Sequence, residues 1–189
     1  MRYGRGEPSD LGPFPYDEMF SGTRDGAPMP FMARSALAAG GSPLRIVVGD
    51  DTNVPRVLVY DEAGEFLREM ALHDTRVAVS EGQWNDELDR LRERFGDNPE
   101  LERKIAAWGR PDSTPVFDAL AVDPAGRLWV LRRHDSRLLA TIQADDRLVA
   151  EIELPDLADV YESGDDYIVG LHRDSLGVES VHVYSHGSI

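Results

Sequence analysis

Between Ser35 and His186 the apolar positions fall into short runs and alternations, broken by Gly, Asp and Pro. That pattern predicts short β-strands joined by tight turns. Ala36–Ala39 precedes the turn residues Gly40-Gly41-Ser42-Pro43. Leu44–Val48 is the next strand, ended by Gly49-Asp50-Asp51, and Arg56–Tyr60 follows, ended by Asp61-Glu62-Ala63-Gly64. Phe66–Leu72 is the fourth, with Phe66, Arg68, Met70 and Leu72 partly alternating. The order then returns. Phe117–Val122, Leu128–Leu131, Leu138–Ile142 and Leu148–Leu154 are strands, separated by Asp123-Pro124-Ala125-Gly126, His134-Asp135-Ser136 and Ala144-Asp145-Asp146-Arg147. It returns a third time, one strand short, as Val160-Tyr161, Tyr167–Leu171 and Val178–Tyr184.

Four short strands with tight turns, repeated along a chain, are the pattern of propeller blades. The separation of Leu120 and Val160 falls within the roughly 40–45-residue period of such blades. Tyr60–Arg68 echoes Gln143–Ala150, and His134-Asp135-Ser136 echoes Arg173-Asp174-Ser175. The expected fold is therefore all-β: a partial β-propeller of about three four-stranded antiparallel blades. The units are an irregular segment over 1–32 from a preceding blade, a blade over 33–76, a helical insert over 80–110, a blade over 115–155 and an incomplete last blade over 158–186. The first segment is rich in Gly, Pro and Asp, and its aromatics Phe14, Tyr16, Phe20 and Phe31 argue that it packs on something.

The insert interrupts the β-pattern with a helical one. Ser80 and Gln83 have capping-box spacing. Trp84, Leu88, Leu91 and Phe95 recur at helical intervals until Gly96. Asn98-Pro99 supplies a second cap with proline at the first helical position. Leu101, Ile105 and Trp108 make the second apolar face, and Gly109-Arg110-Pro111 stops it. Two short helices over 80–108 are expected to lie over a blade edge, with Trp84, Leu88, Leu101 and Ile105 buried, because exposed strand edges generally need cover.

Composition narrows the function classes. The 189 residues carry a net charge of −15, which repels nucleic acid and anionic lipid, both bound through phosphate neutralisation. The absence of cysteine excludes disulfides, thiolate metal sites and cysteine nucleophiles. No apolar run is long enough to span a bilayer, and the first residues hold no signal-peptide core.

The stretches Leu11–Pro15 with Pro30-Phe31, Arg56–Gly64, the insert leading into Pro115–Val130, and Gly164–Glu179 together resemble the six-bladed β-propellers of GC-rich environmental bacteria, which are similar to the NHL and TolB-type propellers. Within them Val-Asp-Pro-x-Gly-x-Leu-Trp-Val, residues 122–130, marks a propeller hairpin. The resemblance implies the C-terminal half of an exported, periplasmic or lipid-anchored protein of about twice this length.

Candidate chemistry is sparse. Asp50, Asp51 and Asn53 offer oxygen ligands after a strand, but lack calcium-loop spacing and read as a turn capping its own backbone. His134, Asp135 and Ser136 hold the residue types of a hydrolase triad, yet neighbours on one turn cannot form the relay, and no Gly-x-Ser-x-Gly elbow exists. His182 and His186 share a strand face, His172 lies nearby in sequence, and zinc would need a further ligand. They read as surface histidines. Trp84, Trp108 and Trp129 read as packing.

The sequence thus predicts a non-enzymatic binding or scaffold module, with Asp51, Asn53, His134 and Arg173 as loop candidates for ligand contact. No catalytic residue, metal ligand or cofactor is assigned. The partner expected is a protein or small molecule, not nucleic acid. The alternative is a lactonase- or esterase-like propeller hydrolase with a divalent metal in the central channel, drawing on Asp51, Asn53 and Asp118. Three blades cannot close a ring, so the chain is expected to dimerise, to aggregate or to need missing N-terminal blades, with Val178–Tyr184 as an open edge.

Overall fold

A computed structural model describes residues 30–32, 35–51, 54–72, 76–96, 98–134, 137–154, 157, 159–174 and 176–187. Among them the molecule is mostly β, with three small antiparallel sheets, two helices and no closed barrel. The first sheet is a meander of β1 (Ser35–Gly40), β2 (Arg45–Asp50), β3 (Arg56–Asp61) and β4 (Phe66–Ala71). The second runs β5 (Ala119–Val122), β6 (Leu128–His134), β7 (Arg137–Ala144) and β8 (Arg147–Leu154). The third holds β9 (Asp159–Ser163), β10 (Tyr167–Arg173) and β11 (Glu179–Ser185), one strand fewer. A register shift interrupts the third strand of each four-stranded sheet one step before its turn, between Val59 and Tyr60 and between Ile142 and Gln143.

The sheets stack in chain order. Val47, Val57, Val59 and Met70 of the first pack with Leu120, Leu128 and Val130 of the second, and Phe117 fills the space between them. The sequence reading placed Phe117 in a strand; it instead precedes β5 as a fully buried wedge. The opposite face of the second sheet, Trp129, Leu131, Ala140, Ile142 and Leu154, buries against Leu157, which precedes the third sheet, and Ile168 within it. Period-two alternation sends successive residues to these two faces, so the middle sheet is apolar on both. Burial of a Leu- or Ile-sized side chain contributes about 1.5–3 kcal/mol, which makes these two seams the dominant apolar cores of the sheets.

Close approach at the first strands demands a small residue. A Cβ at Gly40 would stand 2.2 Å from the Val122 carbonyl oxygen, so β1 and β5 touch backbone to backbone there. β1 neighbours β5, and β5 neighbours β9, so the three first strands lie side by side.

Three hairpins share one turn chemistry. Asp61, Asp123 and Asp174 each accept the N–H of a glycine three residues on, Gly64, Gly126 and Gly177, through the backbone carbonyl. Each glycine has φ near +80° (82°, 82° and 78°), open to glycine at little steric cost. Each aspartate carboxylate also caps the turn, taking N–H groups of Ala63 and Glu65, of Arg127, and of Leu176 and Val178.

The connection from β4 to β5 carries the insert. The capping box at Ser80 forms as its spacing predicts, with the Gln83 N–H donating to Ser80 Oγ and the Ser80 N–H to Gln83 Oε1. It opens α1 (Glu81–Phe95); Asn98 caps α2 (Pro99–Trp108) through the N–H groups of Glu100 and Leu101. Trp84, Leu88, Leu101 and Ile105 are buried, with Val79, Phe31 and Trp108 around them. No strand residue belongs to this apolar cluster among the described residues, where the sequence predicts helices laid over a blade edge. They cover each other. Arg92 fastens them, its Nε and Nη2 donating to Glu102 Oε1 and Oε2 at 2.8 and 3.1 Å. A short antiparallel ladder joins the pair to the sheets: Ala78 bridges Ser113, the Val79 N–H donates to Asp112 O, and the Thr114 N–H to Val77 O.

Candidate functional site

Because like strands lie side by side, like connections gather at like ends. The turns β1–β2, β5–β6 and β9–β10 share one rim, where Arg127 after β5 reaches Asp165 before β10 at 3.3 Å. The opposite rim carries the connections β2–β3, β6–β7 and β10–β11, and it also carries the helical insert, since β4 ends there and β5 begins there.

Three of the four ligand candidates fall on this second rim. Asp51 follows β2, His134 ends β6 opposite Arg137, and Arg173 ends β10 opposite Glu179. Asn53 lies outside the described residues. A shared rim is not a shared site, because Asp51 and Arg173 are each engaged with partners of their own. Asp51 is fully buried. Its Oδ1 accepts from Arg76 Nη2 at 2.8 Å and its Oδ2 from the Val116 N–H at 2.8 Å. These two partners lie 25 and 65 residues along the chain, at the two feet of the insert. A carboxylate out of water is retained where charged and backbone donors replace its hydration. Arg173 is exposed and paired with Glu179, which raises the guanidinium pKa through their hydrogen bond. Asp118, the further candidate for a hydrolase, accepts the Arg133 N–H at 2.6 Å.

The first strands line a half-open hollow of about 550 Å³. Its walls include Leu37, Gly40, Leu120, Val122, Val160 and Tyr161, with Glu162 and Ser163 as polar members. Among the described residues no Lys, Arg or His stands on its wall. Glu162 accepts from the Tyr167 hydroxyl, and that hydrogen bond, with the carboxylate's charge, holds the phenol protonated above its ordinary range. The Ser163 hydroxyl is buried without a partner among the described residues.

The sequence predicts surface histidines. His186 instead sets its ring 5.4 Å from Trp129, with both nitrogens buried, and His172 stacks on His182 at 4.9 Å. His182 Nε2 lies 2.9 Å from Ser180 Oγ and its Nδ1 2.9 Å from the Tyr184 hydroxyl, a row along one face of β11. The alternation Ser-x-His-x-Tyr was the available signal, since residues two apart share a strand face.

Trp129 packs as the sequence predicts, and its Nε1 donates to Asp123 Oδ2 at 3.0 Å, so the Val-Asp-Pro-x-Gly-x-Leu-Trp-Val stretch is a turn bolted to its own strand. Among the described residues no group of three or more His, Asp or Glu could hold a metal ion, and no helix is long and apolar enough to cross a membrane. No family model matches the chain, and none of the curated proteins is detectably similar to it.

Proposed function

We propose that the chain is a partial β-propeller of the NHL and TolB-like kind and serves as a non-enzymatic binding or scaffold module. The single observation that carries this reading is the side-by-side placement of β1, β5 and β9 at one hollow, with the later strands of each sheet set away from it. Blades set around an axis have that relation of first strands. The binding surface is the rim that holds Asp51, His134, Arg173 and the helical insert. Loops on a rigid scaffold carry recognition because they vary without disturbing the core.

The hydrolase alternative draws no support from the described carboxylates. Asp51 and Asp118 already accept from Arg76, Val116 and Arg133. Elemental analysis of the purified chain, alongside ester and lactone hydrolysis, tests the proposal. The expected result is far less than one divalent ion per chain and no turnover above buffer. A stoichiometric ion whose chelation abolishes turnover would overturn it in favour of the hydrolase.

A further inference from the structure

Each sheet ends on an outermost strand, and two of the three ends are guarded. β4 carries Arg68 and Glu69, and β8 carries Arg147, Glu151 and Glu153. Charges on an edge strand oppose the addition of another chain, because pairing would bury them or set like charges face to face. β11 carries a charge at its first residue, Glu179, which is paired with Arg173 of the neighbouring strand. From Ser180 to Ser185 it holds no Asp, Glu, Lys or Arg, in a chain with 55 charged residues (20 basic and 35 acidic). Val181 and Val183 stand 62% and 67% exposed. By position β11 matches β3 and β7, which are flanked on both sides in their own sheets.

The hydrogen-bond register fixes what this edge offers. The Asp174 N–H donates to Val178 O at one end of the hairpin and the His186 N–H to Asp166 O at the other. Alternation between them turns the even-numbered residues of β11 towards β10 and leaves the N–H and C=O groups of Glu179, Val181, Val183 and Ser185 facing outward.

We infer that β11 pairs antiparallel with β11 of a second copy of this chain, about a two-fold axis at His182, joining two three-stranded sheets into one of six. In this register Val181 faces Val183 of the second copy, and Glu179 faces its Ser185. The outward groups of each strand then meet their complements, and no like charges oppose. The four valines lie on the side of the sheet that already bears Val169 and Leu171, so the pairing extends an existing apolar surface. The same operation on β8, centred on Ile152, would place Glu151 against Glu153. A self-complementary, isologous edge closes at two copies and does not propagate.

Sedimentation equilibrium at tens of micromolar, with circular dichroism as a check on folding, tests the pairing. The unaltered chain sediments at twice its 21.0 kDa mass. Val181→Lys with Val183→Lys sediments as a folded monomer. Cysteine scanning tests the register independently of that variant. His182→Cys sets a thiol opposite itself, at the roughly 4.5 Å Cα separation of a non-hydrogen-bonded pair, within disulfide reach. It oxidises to a covalent dimer, whereas Val183→Cys, which faces Val181, does not. A monomeric unaltered chain, a higher oligomer, a dimer that survives the double lysine change or a His182→Cys variant that stays uncrosslinked would each overturn the inference. Survival with the lysines would move the contact to the open faces of the outer sheets.

Discussion

Asp51 shows how far a residue's role can lie from its neighbours in sequence. Its run of Asp50, Asp51 and Asn53 has the composition of a turn, and nothing local distinguishes a self-capping aspartate from one that reaches residue 116. The long-range hydrogen bond is a property of the fold. Replacing Asp51 by alanine leaves the Val116 N–H and Arg76 without that carboxylate, in a buried place where an unmet polar group is costly. The expected loss is about 3 kcal/mol of stability, read as a lower denaturant midpoint with an unchanged slope. Asp51→Asn keeps one acceptor for Val116 and loses less. Gly40 makes the opposite case, since its turn-like run Gly40-Gly41-Ser42-Pro43 was legible while its contact was not. With a Cβ 2.2 Å from a backbone oxygen, Gly40→Val must push β1 from β5. Overpacking of this kind costs about 1–3 kcal/mol, which lowers the melting temperature by several degrees in thermal unfolding.

Elements were the most legible level. Strand positions followed from alternation, and both helices from their caps, because those signals act within a few residues and tertiary packing reinforces them. What the helices touch did not follow, because an apolar stripe states that a helix must be covered and not by what. The echoes between units also mix two causes. The Asp-x-x-Gly turn recurs between β3 and β4, between β5 and β6 and between β10 and β11, which are different places in the three sheets, so it records hairpin chemistry. The register shifts in β3 and β7 do sit at matching places. Between the helices, the Arg92 guanidinium holds the Glu102 carboxyl below its ordinary range. A depressed folded-state pKa means that the pair's contribution is present above the ordinary glutamate value and is lost as pH falls through the folded one. Both groups are exposed, so the effect on the whole chain is small. Helical ellipticity followed against temperature should separate the unaltered chain from Glu102→Gln at neutral pH, and the two melts should converge on acidification below the glutamate range.

For the whole molecule, charge and connectivity decide. A net charge of −15 opposes any polyanion, so DNA and RNA should show no salt-dependent gel shift at micromolar protein and physiological ionic strength. A shift that fades with added salt would contradict this. Connectivity bears on the insert. Its two ends leave the rim through the Ala78–Ser113 bridge, so they stand side by side, and its apolar cluster shares no residue with the seams between sheets. Among the described residues the helical pair is therefore joined to the β-framework at neighbouring points, with Phe31 as an apolar neighbour from outside the insert. A variant with Ser80 to Pro111 replaced by a two-residue hairpin turn is expected to keep Arg76, Asp51 and Val116 in place, since Val79 and Asp112 are already hydrogen-bonded across the gap. A new recognition element could be spliced into the same doorway without renegotiating the β-framework that carries it.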